Sequence, residues 1–343
     1  MSEKTPGNYE RILVIQLRQM GDVLLTTPAL HALRRKFPSA KIAFLVDQPF
    51  EPLLRLNPDL DQIIVRDPNK SIEGVTTLRR VRQFKPDLVV DYLQNPRTAI
   101  ISLLSGAKAT LSYANKRRSF FYTVKAEPSG QYVAEEKLSL LKPLGIESGE
   151  LNLVLNFPKA ADEKMDRLLK ELGISNQNLV VLDLFHKRPS RQWPIENYIE
   201  IADRLVENFQ VKVIISCLPE NRVRAEQAIS QARQKHFIAS NLDLLELAAL
   251  IHRAKLFLGG DAGPKHIAVS QKVPSFTILG PSGEQWTPPS PIHQTASLDL
   301  DFRPCSEHDC PKPEIICQTR LTPDRVWPKL SRFIQQIISP AGT

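Results

Sequence analysis

The chain predicts an α/β protein built on two parallel sheets, and three observations carry that expectation. Apolar strand-like runs alternate with amphipathic helical runs through both halves of the sequence. Two strand-to-helix junctions, about 240 residues apart, each place a Gly and an Asp where the strand ends. At 343 residues the chain is long for a single core, so two domains are expected. Ligands of open α/β sheets bind at the carboxyl ends of the strands. Two such junctions therefore suggest two ligands meeting in a cleft.

In the first half, strand-like runs fall at Ile12–Leu17, Lys41–Val46, Gln62–Val65 and Asp87–Tyr92. Between the first two lies a helical run, Val23–Phe37, with Leu24, Leu25, Leu30 and Leu33 on one stripe and Pro38 at its end. A second helical run is Gly74–Phe84. Ala107–Ser129 shows no clean period. A second alternating series starts near Ala160, with helices at Asp162–Leu172, Pro194–Phe209, Glu220–Gln234, Leu244–His252 and Lys265–Ser270. Its strands are Asn178–Leu184, Val211–Ser216, Ala254–Leu258 and Ser275–Leu279. Pro281, Pro288, Pro289, Pro291 and Pro304 predict a long irregular surface, because proline disrupts strand and helix interiors. A last helix, Pro323–Ile338, presents Val326, Leu330, Phe333, Ile334 and Ile337 on a stripe that needs a cover. The sequence shows no internal repeat.

Charged residues make up 24% of the chain and no apolar run reaches the roughly 18 residues of a membrane span, which excludes a membrane-embedded protein of the helical type. The first ten residues lack the apolar core of a signal peptide. The expected location is the cytoplasm. A net charge of +8 favours an anionic partner, although solubility alone accounts for such a charge in many proteins.

Several groups of residues have chemistry to offer. Asp22 stands at a helix start, where the dipole favours its ionised form, and a carboxylate held there can accept a proton from a hydroxyl. The plainer alternative is a helix cap. The small residues Gly259–Gly263 leave backbone N–H groups free to face an anion at a helix start, with Lys265 and His266 close by. Alternatively, this is a glycine turn capped by Asp261. His186, Lys187, Arg188 and Arg191 precede a helix with Pro194 at its beginning, and read as a phosphate clamp or as a solvated basic loop. Glu220 follows a strand, where a ribose hydroxyl could be held. Lys116, Arg117 and Arg118, beside Phe120, Phe121 and Tyr122, could grip phosphate or stack on bases, or pack rings inward and charges outward. Cys305, Cys310 and Cys317, with His308 between, have neither close-pair metal spacing nor the even number of a disulfide framework.

Taken in order, these motifs resemble the ADP-heptose:lipopolysaccharide heptosyltransferases, glycosyltransferase family 9, from about Arg11 to Val326. Gly21-Asp22-Val23 through Thr27-Pro28-Ala29-Leu30 is similar to the family's opening motif, Arg191-x-Trp193-Pro194 to its K-x-W-P, and Asp261-x-Gly263-x-x-His266 to its D-[ST]-G-x-x-H. Arg303-Pro304-Cys305 with Cys310 and Cys317 resembles the C-terminal cysteine pattern of many members. The chain departs from the pattern with Arg at 191, with Ala262 in place of Ser or Thr, and with His186-Lys187 where some members have threonines.

The resemblance implies a GT-B fold, two Rossmann-like domains facing across a cleft. The expected division is 1–158 for the acceptor, 159–322 for the nucleotide-sugar, and 323–343 as a helix packing back on the N-terminal domain. It implies inverting transfer of heptose from ADP-heptose to a lipopolysaccharide inner-core acceptor, with Asp22 as general base. His186, Lys187, Arg191, Glu220, Asp261, Ala262, Gly263 and His266 would bind the donor, and Arg97, Lys116, Arg117 and Arg118 the acceptor. ADP-heptose is a co-substrate, no cofactor or metal is expected, and a peripheral contact at the inner face of the inner membrane is implied. Two alternatives stay open: a GT-B transferase using another nucleotide-sugar, and a basic nucleotide- or nucleic-acid-binding protein without catalysis.

Overall fold

The structure is a computed structural model that describes residues 8–70, 73–175, 177–305 and 309–338. It divides into unit 1, Met1–Asn156, and unit 2, Phe157–Thr343.

Unit 1 runs β1 (Arg11–Ile15), α1 (Met20–Leu25), α2 (Thr27–Lys36), β2 (Lys41–Asp47), β3 (Gln62–Arg66), α3 (Glu73–Phe84), β4 (Leu88–Asp91), α4 (Pro96–Leu104), β5 (Ala109–Tyr113), β6 (Val124–Ala126) and α5 (Val133–Ser139). Its six strands are parallel and ordered β3-β2-β1-β4-β5-β6. β1 and β4 are buried at nearly every position, as strands covered on both faces must be. Leu13, Ile15, Leu45, Val89, Val81, Phe84 and Ile101 form a core between the sheet and α3 and α4. The order reverses between β1 and β4, so the connections leaving their carboxyl ends diverge there and open a crevice.

The single helix expected over Val23–Phe37 is two helices. Pro28 has no N–H to give the Leu24 carbonyl, and the Thr27 hydroxyl donates to that carbonyl instead, at 2.7 Å. The Thr26 hydroxyl likewise donates to the Asp22 carbonyl at 2.7 Å. The turn that carries Asp22 is thus a short helix with a defined end. Within Ala107–Ser129, where no period was legible, the chain forms β5 and β6; these strands are short and their partners are distant in sequence.

Unit 2 runs α6 (Lys159–Glu171), β7 (Leu179–Asp183), α7 (Ile195–Phe209), β8 (Lys212–Cys217), α8 (Arg222–Ile229), β9 (Phe237–Ser240), α9 (Leu244–His252), β10 (Leu256–Gly260), α10 (Gly263–Ser270), β11 (Ser275–Ile278), β12 (His293–Ala296), α11 (Ile316–Thr319) and α12 (Pro323–Ile338). Its strands are parallel in the order β12-β11-β10-β7-β8-β9. Counted within each unit, the first strand pairs with the second and the fourth in both sheets. The two units therefore repeat one topology that no sequence repeat announces. The proline-rich stretch is not wholly irregular: β12 lies within it, a four-residue edge strand between prolines that pairs on one side only.

The apolar stripe on α12 is covered. Val326, Leu330, Phe333 and Ile334 are buried in the core of unit 2, and the helix packs on α7. The Phe276 and Phe333 rings lie 6.1 Å apart, and Arg204 reaches Asp324 at 2.7 Å. Cover for this stripe comes from β11 and α7 of its own unit. Among the described residues no helix is long and apolar enough to cross a membrane.

Candidate active site

Each unit gathers charged side chains at its switch point. In unit 1 the loop after β1 delivers Asp22 into the first turn of α1, with its side chain 31% exposed. One carboxylate oxygen accepts the Gln19 N–H at 3.3 Å, and the other lies 3.8 Å from Lys137 Nζ. Lys137, on α5, is buried; its ammonium donates to Gln16 Oε1 at 3.0 Å and stands 5.3 Å from the Tyr92 ring. Gln16 in turn donates through Nε2 to the Arg18 carbonyl at 2.6 Å, which braces the loop preceding Asp22. Burial pushes the Lys137 pKa below the usual lysine value, and the neighbouring Asp22 opposes that shift. Lys116 lies 4.5 Å over the Tyr113 ring and is lowered by burial in the same way, opposed by Glu136, Asp91 and Asp22.

Asp91, at the end of β4, is buried, and burial raises its pKa against the hydrogen bond that Tyr122 donates at 2.6 Å. Its other oxygen accepts the N–H groups of Leu93 and Gln94, which shapes the loop leading into α4. Of the residues expected to meet the acceptor, Arg97 and Arg117 are exposed, Arg118 is half-buried, and Lys116 turns toward Tyr113. Sequence reasoning missed Gln16, Tyr92 and Lys137. For Lys137 a signal existed: it sits with Val133, Ala134 and Leu138 on the apolar stripe of a short helix, where an exposed lysine does not belong.

In unit 2 the segment after β7 folds around two side chains. Gln192 accepts the His186 N–H at 2.8 Å and donates to the Leu184 carbonyl at 2.7 Å, so the loop closes on itself. His186 accepts the Arg188 N–H at Nδ1 (2.9 Å), which leaves Nε2 as the donor to the Asp261 carbonyl at 3.1 Å. Burial lowers its pKa, so His186 is a neutral link between the β7 and β10 loops rather than an added positive charge. Trp193 is an anchor: its indole N–H donates to the Leu321 carbonyl at 2.7 Å from within the core.

Asp261 follows β10 and is buried. One of its oxygens lies 2.5 Å from Lys265 Nζ and the other 3.1 Å from Arg191. Burial works against its ionisation, but the Lys265 ammonium outweighs this and holds the carboxyl well below the usual range. The charge of Lys265, which the sequence offered to a ligand, is fully buried and committed to Asp261. Arg191 keeps its Nε, and His266 its Nδ1, without a hydrogen-bond partner among the described residues. Burial lowers His266 to about 3, so it is neutral and can only donate or accept a hydrogen bond. Trp286 sits edge-on to it at 6.5 Å.

Ala262 caps α10 and Gly263 opens it. Gly259 has another reason to be glycine: a Cβ there would come within 3.2 Å of the neighbouring Asp183 and Phe257. Lys187 is exposed with no hydrogen bond or ion pair among the described residues, and Glu220 is exposed beyond β8, apart from this cluster. A further carboxyl that the sequence did not flag is Asp183, at the end of β7; burial raises its pKa to about 7. The cysteines are free, with Cys305 exposed and Cys317 buried. His308 lies outside the described residues. Among the described residues no three His, Cys, Asp or Glu side chains converge as metal ligands.

Residues 76–316 match the model of glycosyltransferase family 9 (heptosyltransferase). The chain belongs to glycosyltransferase family 9. It is similar to lipopolysaccharide heptosyltransferase 3 of Escherichia coli, at 29% identity over 278 residues, which cover 77% of this chain and 82% of that protein. Among solved structures it resembles the family 9 glycosyltransferase of Veillonella parvula, with a TM-score of 0.74 and 24% identity, covering 90% of this chain and 87% of that one. It also resembles the E. coli ADP-heptose LPS heptosyltransferase II, with a TM-score of 0.72 and 17% identity, covering 95% and 99%. The two sheets and their helices are the GT-B-like architecture of these enzymes, and this family 9 chain is a heptosyltransferase-type glycosyltransferase.

Proposed function

We propose that this family 9 enzyme transfers heptose from ADP-heptose to a lipopolysaccharide inner-core acceptor, with inversion at the anomeric carbon. The family match over 76–316 carries this reading, and the names of its relatives supply the donor and acceptor.

Asp22 takes the proton of the acceptor hydroxyl as that oxygen bonds to the anomeric carbon. The bond from that carbon to the diphosphate oxygen breaks, and ADP leaves with the electron pair. The Arg191 guanidinium, the Gly263 N–H at the start of α10, and Lys187 meet the charge that develops on the diphosphate. Asp261 does not touch the sugar in this scheme; both its oxygens hold cations in place. His266 offers a neutral hydrogen bond, and Ala262 leaves out the hydroxyl that Ser or Thr would offer. Glu220 contacts the nucleoside. Lys116, with Arg97, Arg117 and Arg118, meets the anionic core. The reaction needs no metal, and it takes place at the cytoplasmic face of the inner membrane.

The test is transfer from a panel of ADP-, UDP- and GDP-sugars to truncated core acceptors, with product linkage read by NMR. ADP-heptose giving a product of inverted configuration is expected. Transfer from a UDP- or GDP-sugar alone overturns the donor assignment, and retained configuration overturns the one-step displacement.

A further inference from the structure

Of the large apolar side chains that the fold leaves exposed, four gather on one face of unit 1. α4 buries Thr98, Ala99, Ile101 and Ser102 against the sheet, yet its outer side carries Ile100, Leu103 and Leu104, which are 51, 55 and 40% exposed. Phe120, 69% exposed, stands on the 3-10 turn Ser119–Phe121, which packs against α4. A helix that is apolar on both its inner and its outer side is normally covered on both.

The charge around this face is one-sided. Positions 92–126 contain Arg97, Lys108, Lys116, Arg117, Arg118 and Lys125 and no Asp or Glu. Arg82, at the end of α3, joins them by donating Nε to the Leu104 carbonyl at 2.8 Å. The Lys116 ammonium lies over the Tyr113 ring, and Arg82, Arg97, Lys108, Arg117, Arg118 and Lys125 form no ion pair among the described residues.

We propose that the outer face of α4 together with Phe120 is a docking surface for an anionic lipid bilayer. The apolar side chains enter the boundary between headgroups and acyl chains, and the surrounding cations meet the lipid phosphates. Apolar area and electrostatic attraction add in such contacts, which is the combination found here. A second copy of the chain is a poorer occupant, because a symmetric contact would set each basic rim against its twin. Nucleic acid would leave Ile100, Leu103 and Leu104 without a role. The placement also suits the proposed activity, on which only this step rests. α4 leaves from the carboxyl end of β4, the end near Asp22, and runs back toward the start of β5, so its first turn lies nearest that end of the sheet and Leu103 and Leu104 farthest from it. A lipid-anchored acceptor would reach that end of the sheet past the first turn of α4.

The experiment is co-sedimentation of the full chain with vesicles of phosphatidylethanolamine and phosphatidylglycerol, and with phosphatidylcholine vesicles for comparison. The wild type is expected to sediment with the anionic vesicles and to be released by salt. The triple variant I100S/L103S/F120S should lose partitioning about tenfold or more while keeping the wild-type thermal melt. Failure of the wild type to bind anionic vesicles overturns the proposal, as does equal binding by the triple variant. So does a wild-type dimer in light scattering that the triple variant turns into a monomer. Transfer to a detergent-free core oligosaccharide should be the same in both proteins, while transfer to vesicle-borne acceptor should fall in the variant. Vesicle binding with no transfer to any acceptor would support the docking surface and overturn the activity.

Discussion

The two units share a strand order and differ in what they do with the carboxylate at the switch point. Asp22 is about a third exposed, and its nearest cation is 3.8 Å away. Asp261 is almost fully buried, with Lys265 at 2.5 Å and Arg191 at 3.1 Å. One carboxylate is loosely held and stays partly in solvent. The other is spent inside the protein, where it fixes the direction of a guanidinium whose buried Nε has no hydrogen-bond partner among the described residues. Repeating a topology fixes where a site forms; the partners that reach it set whether a carboxylate there can act as a base or as a brace.

The largest effect expected from this contrast is on turnover. Asp22→Asn should lower kcat by about 10²–10⁴-fold, the usual worth of a general base, with ADP affinity unchanged in calorimetry. Unaltered turnover would remove Asp22 as the proton acceptor. Next in size is a stability effect confined to the brace. Asp261→Asn leaves the Lys265 ammonium buried without its counter-charge, at a cost of about 3–5 kcal/mol. A denaturant titration of that variant matching wild type would break the contrast from the other side. Arg191→Ala should weaken ADP binding by about ten- to a hundredfold, the loss of a charge-assisted contact, and equal affinity would show that the guanidinium serves only to hold the Asp261 loop.

The smallest effect is a pH dependence within unit 2. His266 and His293 have folded pKa values of about 3 and 4, below the unfolded imidazole. The stability they carry is therefore complete above about pH 6.5 and is lost as the pH falls through their folded values. Asp183 acts with the opposite sign. Its folded value of about 7 lies above that of an unfolded carboxyl, so its contribution is complete at low pH and is lost as the pH rises from about 4 through 7. Asp183→Asn should raise the Tm by a few degrees at pH 8 and by less at pH 5. A gain that is equal at both values would show that Asp183 does not ionise in this window.

The sequence displayed the strands of the two sheet centres, β1, β4, β7 and β10, because a parallel strand covered on both faces must be a continuous apolar run. It concealed β6, β9 and β12, strands of three or four residues at the sheet edges, where a period has no room to repeat, and also β5, an interior strand whose apolar run is interrupted by Thr110 and Ser112. The Gly-Asp junctions were legible for the same local reason that made the helix starts legible. The partners of those aspartates were harder to see. Lys137 lies more than a hundred positions from Asp22, and Arg191 lies 70 from Asp261, so neither is announced by its neighbourhood; only Lys265, four positions from Asp261, was in view, and its pairing was not.

What the sequence determined by itself was therefore local. It set the alternation of strand and helix, the family motifs, and the placing of charged groups at strand ends. The tertiary structure alone decided that α12 is covered by β11 and α7, that Lys265 and His186 are not free charges, and that the outer face of α4 stays uncovered. The reason is physical: backbone preference acts between neighbours a few residues apart. Burial and ion pairing act between whichever groups the finished fold brings together, and that is settled only when the sheets have formed.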